Sequence, residues 1–281
     1  MRILMMISAL MTGAMSYAIT PAEVRFHNEG SDTTKITQVL MELDKIKVPD
    51  GQTLVAAAGE FFMDAPYVSG TLEGKPEQLT VNTEELDCTT FVETALALAM
   101  TINDHRSSWR DYISNLESIR YRGGHVDGYP SRLHYVSDWI VDNTHRGNLK
   151  EVTDRVGRAD SQIKTLDYMS QHRDVYPALA DSAAYEGIKR SEMGYRSHKF
   201  SYIKAANVGG AALREGDVVA LVTNTKGLDV SHLGIIKMID GVAHLMHASS
   251  KLKKVAIDPL PLTDYMRRNR TPGLRIIRLA N

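Results

Sequence analysis

Apolar positions in the first half of the chain recur at helical spacing. Ile36, Val39, Leu40 and Leu43 mark a helix over Asp32–Ile46, and Pro49-Asp50-Gly51 closes it. A second short helix is predicted over Leu54–Met63 and is stopped by Pro66. Tyr67–Asn82, with Gly70, Gly74 and Pro76, reads as a surface loop. Apolar or small residues at 88, 91, 92, 95, 96 and 99 then share one face of a third helix. Two starts compete for it: a capping box of Asn82 and Glu85, or Asp87 as cap with Cys88 in the first turn. The second places the thiol where the helix dipole favours a thiolate. Trp109–Ile119 and Val136–Val141 read as helices flanking Tyr121–Tyr135 (YRGGHVDGYPSRLHY), whose Gly, Tyr, His and Arg suit a binding loop. Near 150–195 the chain is polar with helical periods (Ile163, Leu166, Met169; Ala184, Ile188), predicting a mostly helical insertion.

After Phe200 the period shortens to that of strands. Asp217–Thr223, His232–Ile239, Val242–Ala248, Lys254–Ile257 and Leu274–Leu279 are short β-branched runs separated by Gly216, Gly227, Asp240-Gly241, Pro259 and Pro272-Gly273. Asp240-Gly241 predicts a hairpin turn. Helices followed by an antiparallel sheet make an α+β layout.

Composition changes this picture in two places. The balance of 33 basic and 34 acidic residues offers no electrostatic footprint for nucleic acid or an anionic membrane. The N-terminus has Arg2, an apolar run from Ile3 to Met15, and small residues at Ser16 and Ala18. It reads as a signal peptide over 1–18, too short for a comfortable membrane span and without a lipidation cysteine. The expectation is an exported chain, periplasmic or secreted, with residues 19–281 forming one domain and no stable membrane anchor. Export gives meaning to Cys88, the one cysteine among 281 residues. In an oxidising compartment an unpaired cysteine is a reactive thiol, half of an intermolecular bridge, or a buried small hydrophobe.

A thiol nucleophile needs an imidazole, and the imidazole needs a third group to orient it. Of ten histidines, His232, His244 and His247 fall on predicted strands. Strand alternation separates His244 from His247. If the faces carrying His232 and His247 are those covered by the Cys88 helix, the two are neighbours across the hairpin and both look at the thiol. A zinc site from the three histidines is the competing arrangement; alternation opposes it, and H-E-x-x-H spacing is missing.

The order APYVSG (65–70), LDCTTFVE (86–93), REGDVVALV (214–222), SHLGI (231–235) and HLMHASS (244–250) resembles the NlpC-type papain-fold hydrolases of bacterial cell walls. LDCTTFVE, YPSRLHYVSDW and LMHASSK are similar to the N-acetylmuramoyl-L-alanine amidase-like branch, over about Ala65 to Leu279. The resemblance implies a papain-like α+β fold, with an antiparallel sheet packed on the helix carrying the nucleophile and with extra helices. It implies Cys88 as nucleophile, His232 as base, His247 as orienting group, and Tyr67 and Asp87 at the oxyanion or substrate side, with no cofactor or metal. Its substrate would be the amide between N-acetylmuramic acid, in its 1,6-anhydro form, and L-alanine in muropeptides, handled by a monomer. A γ-D-glutamyl-diamino acid endopeptidase, an acyltransferase or a non-catalytic muropeptide binder on the same fold are the alternatives. DCTT in place of the superfamily's usual DCSG, and a long Tyr67–Cys88 spacer, argue against carrying over endopeptidase specificity. Arg132 and His134 are candidates for gripping sugar or carboxylate. The competing expectation pairs Arg132 with Asp138 and leaves His134 on a helix surface.

Overall fold

A computed structural model describes residues 24–46 and 51–280. The predicted signal peptide lies outside them. In chain order the elements are β1 (Val24–Phe26), α1 (Glu29–Asp44), α2 (Gly51–Glu60), β2 (Leu79–Val81), α3 (Cys88–Asn103), α4 (Trp109–Arg120), α5 (Val136–His145), β3 (Leu149–Glu151), α6 (Thr153–Val156), β4 (Ala159–Lys164), α7 (Tyr168–Gln171), α8 (Ser182–Met193), β5 (His198–Lys204), β6 (Val218–Val222), β7 (Val230–Ile239), β8 (Val242–Ser249), β9 (Lys254–Pro261), α9 (Leu262–Arg268) and β10 (Gly273–Leu279). Short 3-10 turns interrupt the loops. Among the described residues no helix is long and apolar enough to cross a membrane.

The α+β layout is as the pattern predicts. An eight-stranded antiparallel sheet runs β4-β5-β10-β6-β7-β8-β9, with β3 also paired to β10. β6 is central and buried on both faces. Val218 and Ala220 enter one core with α1–α4, while Val219 and Leu221 enter a second core with α9. This is the alternation of a strand between two layers. Leu233 and Ile235 of β7, and Met246 and Ala248 of β8, point to the first core, whereas Ile236 and Leu245 point to the second. Helix α3 is buried almost all round from Thr90 to Thr101, because α2, α4 and the sheet enclose it. Gly59 lets α2 come that close: a Cβ there would meet the Met246 side chain at 2.7 Å. Asp240 and Gly241 both have positive φ (49° and 78°), the backbone of the expected tight hairpin.

Several expectations are corrected. The segment near 150–195 is helical over α6, α7 and α8, where Ala184 and Ile188 are buried, but it also contributes β3 and β4 to the sheet, and Ile163, expected on a helix, lies on β4 and is exposed. Around Ile163 the apolar pattern is that of an edge strand. The remainder, with α7 and α8, packs as a separate small core around Tyr129, Tyr135, Leu166 and Leu179. Leu79–Val81, read as loop, pairs with β1 in parallel. His198 also lies on a strand, β5. α9, unforeseen, follows β9 directly and covers the second core.

Candidate active site

Local sequence builds the thiol's position. Asp87 is the N-cap of α3; its Oδ1 accepts from the backbone N–H of Thr89 (3.0 Å) and Thr90 (2.8 Å), and Thr90 Oγ1 accepts from the Asp87 N–H (2.8 Å). This capping box decides between the two predicted starts. Asn82 instead makes a turn of its own, accepting from Glu84 and Glu85. Cys88 is therefore the first helical residue.

The dipole does not prevail there. Burial, and then the Asp87 charge, push the Cys88 thiol up to about 11. The Leu233 backbone N–H and the Thr89 side chain, both bonded to the sulfur, oppose that rise without overcoming it. The thiol is thus held neutral at rest, contrary to the dipole-based expectation.

Strand pairing builds the imidazole side. β7 carries a bulge at Ser231: Leu221 pairs with His232, but Val222 pairs with Val230. Across the hairpin Ile235 pairs with Met246. Continuing that register sets His247 opposite Gly234, on the same face as His232. The rings meet with His232 Nε2 2.6 Å from His247 Nδ1, nearly perpendicular at 85°. Burial lowers both imidazoles, His232 to about 4 and His247 to about 3, so the pair is neutral at pH 7. His244 is not part of it; its Nδ1 bonds the Asp258 carbonyl at 3.0 Å.

The condition set on the faces is not met. His232 and His247 share the face of Ile236 and Leu245, which α9 covers, whereas α3 packs on the opposite face. α3 packs on β7 and β8, and the backbone of Leu233, the residue next to His232, acts on the thiol at the helix start. Tyr265 of α9 spans both sides: its ring lies edge-on to His247 at 5.4 Å, and its hydroxyl feels the charge of Asp258 and of Cys88.

The remaining predicted residues divide. Tyr67 lies near enough to feel the charge of Cys88 despite the long spacer, and its strand-like backbone is held on both sides. Its N–H donates to the Lys253 carbonyl (2.9 Å), and Val68 and Leu86 bond across a parallel bridge. Burial and the charges of Cys88 and Asp87 raise its hydroxyl, which stays protonated as a donor. Asp87, Arg132 and His134 line one cavity of about 410 Å³, together with Thr89, Glu93, Arg120 and Val175–Pro177. Arg132 does not pair with Asp138, which Arg122 holds in a two-point ion pair. Arg132 is buried and pairs with Glu73 (2.7 Å) and Glu77 (3.5 Å). His134 is not on a helix surface. Its Nε2 bonds the Tyr129 carbonyl at 3.0 Å, its ring packs on Tyr129, and burial lowers it to about 3. Glu93 and Arg120 form a buried ion pair at 2.6 Å, with Arg120 also donating to the Thr80 carbonyl.

Two residues beside the imidazoles escaped sequence reading. Asp258 Oδ2 lies 3.9 Å from His247 Nε2, and Tyr265 closes the other side. Asp258 had a signal: His247 pairs with Ala256, and Asp258 follows two residues on, on the same face. Tyr265 had none, since it comes from a helix that was not predicted.

Fold and site define an α+β protein with a cysteine at a helix start and an imidazole pair formed across two neighbouring strands, β7 and β8. The chain belongs to the N-acetylmuramoyl-L-alanine amidase-like family, whose model (AmiA-like) matches residues 57–274. It is similar to the crystal structure of an N-acetylmuramoyl-L-alanine amidase from Bacteroides uniformis, at 37% identity with a TM-score of 0.78, covering 82% of this chain and 99% of that one. A Bacteroides fragilis protein named provisionally as a xylanase is 39% identical, with a TM-score of 0.75 over 80% of this chain and 100% of that one. Protein LPG0564 of Legionella pneumophila, at 20% identity and a TM-score of 0.68, shares the fold over 90% of this chain and 96% of its own. No curated protein matches.

Proposed function

We propose that this chain is a cysteine amidase of the papain-like type. It would hydrolyse the bond between N-acetylmuramic acid and L-alanine in peptidoglycan fragments, with the 1,6-anhydro sugar as its preferred form. The observation that carries the reading is the bonded His232–His247 pair, adjoining Leu233 whose backbone acts on the helix-start thiol of Cys88, with Asp87 and Thr89 on either side of that thiol lining the cavity of Arg132.

In the resting site both partners are neutral. His232 donates its Nε2–H to His247 Nδ1, leaving Nδ1 of His232 as the base. Substrate entry brings an amide carbonyl to the thiol. The S–H proton passes to His232 Nδ1 as the C–S bond forms, so no separated ion pair need persist in the dry site. The oxyanion takes the Cys88 backbone N–H at the helix start and the Tyr67 hydroxyl. His232 then protonates the leaving amine. Water, deprotonated by the same imidazole, cleaves the thioester.

Arg132 would take an anionic group of the substrate in competition with the half-exposed Glu73. His134, neutral, offers hydrogen bonding without charge. Val175–Pro177, which help line the cavity, would narrow it toward small muropeptides. Glycoside hydrolysis needs a pair of carboxyl groups at the bond. Here Asp87 is engaged as a cap, Glu93 with Arg120 and Glu73 with Arg132, which favours amide over glycoside chemistry. An exported location, from the N-terminal pattern, suits a peptidoglycan substrate.

A defined anhydro-muropeptide incubated with the protein and read by mass spectrometry tests this. Sugar released with the peptide intact is the expected result. A shortened stem peptide would make the chain an endopeptidase, and recovery of unchanged substrate would make it a binder.

A further inference from the structure

We propose that Asp258 is a positioning residue for the imidazole pair. Its carboxylate accepts the outer N–H of His247, and so fixes which nitrogen of His232 is free to take the thiol proton. The proposal rests on reading Cys88 and His232 as nucleophile and base, and is independent of which amide is cut.

His247 is almost fully buried, and among the described residues its Nε2 has no hydrogen-bond partner. A buried donor left so is costly. Asp258 Oδ2 stands 3.9 Å from it, and the acid is itself mostly buried. Asp258 is held in that pose. Its Oδ1 accepts the Leu260 N–H at 2.9 Å, and β9 bulges between the Met246–Ile257 and His244–Pro261 pairs, where Asp258 sits. The Tyr265 ring packs edge-on against His247, with centroids 5.4 Å apart and planes at 86°. The chain of groups is then Cys88 thiol, His232, His247 and Asp258.

The tautomers follow from this order. Asp258 is an acceptor, so His247 carries its proton on Nε2. His247 Nδ1 is then an acceptor, so the 2.6 Å contact is donated by His232 Nε2. His232 Nδ1 is left bare. When it takes the S–H proton, positive charge spreads over the pair. The 3.9 Å gap can then close to a charge-assisted bond of about 2.8 Å. The other charged or titratable groups facing the pair are Lys251, which disfavours charge on His232, and the hydroxyl of Tyr265.

Cys88 is the one cysteine, so alkylation by iodoacetamide reads its thiolate without any assumption about substrate. In the full chain, Asp258→Asn keeps an oxygen for the Leu260 N–H and removes the charge. The second-order alkylation rate at pH 7 is expected to fall roughly tenfold, for a shift of about one pKa unit. The rate-against-pH curve moves to higher pH, and Asp258→Glu recovers most of it. Coincident curves for wild type and Asp258→Asn overturn the proposal. A uniform drop with no displacement along the pH axis overturns it too, as the mark of a packing defect. Nitrogen-15 NMR of the wild-type histidines gives a second reading: His247 protonated on Nε2 supports the assignment, and protonation on Nδ1 overturns it. A wild-type chain that leaves muropeptides uncut, while Asp258→Asn displaces the alkylation curve, removes the substrate reading and supports this one.

Discussion

The two halves of the site are built in opposite ways. The thiol half is local. Asp87, Cys88, Thr89 and Thr90 are consecutive, and one capping box sets where the sulfur stands. The imidazole half is assembled from afar. His232, His247, Asp258 and Tyr265 sit on three strands and a helix, held by register, two bulges and a ring contact. The local half fixes the thiol at the helix start, where burial and then the Asp87 charge push it up to about 11. On the proposed reading, reactivity comes from the distant half.

That division can be broken from either side. The largest effect is expected from Cys88→Ala, which should bring amide cleavage to background with an unchanged melting temperature. Retained turnover in that variant would remove the thiol from the chemistry. His247→Ala should lower kcat by roughly 10²–10⁴, the range of acid–base catalysis, with KM little altered; a KM effect alone would make it a binding group. Arg120→Met should cost about 3–5 kcal/mol in denaturant unfolding, by leaving Glu93 buried without its partner. A cost near zero would show the cavity floor to be wetter than its burial indicates. Asp87→Ala removes the cap, worth about 1 kcal/mol, and also a charge that raises the thiol. Stability should fall while Cys88 alkylation at neutral pH rises; a fall in both would assign the thiol's activation to the local half after all.

The smallest effect concerns His134. Its folded-state value of about 3 lies below the ordinary 6.5. Below pH 6.5 the unfolded chain takes up a proton that the folded chain refuses. The stability from neutral His134 is whole above pH 6.5 and is lost as pH falls toward 3. His134→Gln should therefore flatten the fall of melting temperature in that window. An unchanged slope would assign the acid sensitivity to His232 and His247, which are lowered in the same sense.

Helix periods, the Asp240-Gly241 turn and the β-branched runs made the α+β layout legible, since each is a short-range consequence of backbone sterics and side-chain alternation. The same periods misled at Ile163, where an exposed edge strand has no buried face to enforce a two-residue repeat. Cys88 at a helix start and the choice of His232 and His247 were also readable: one from capping chemistry, the others from strand alternation.

Which face of the sheet those histidines occupy was not readable. Alternation states only that two residues agree, and the side on which α3 lies is settled by packing the two cores around β6. Tertiary structure alone turned Arg132 to Glu73 and Glu77 instead of Asp138, because partners 59 and 55 positions away in sequence leave no local trace. It also brought Tyr265 against His247. By itself the sequence determined which groups could react and on which elements they stand. Their protonation, facing and clamping were decided by burial and by contacts between residues far apart in the chain, which exist only once the two layers close on the sheet.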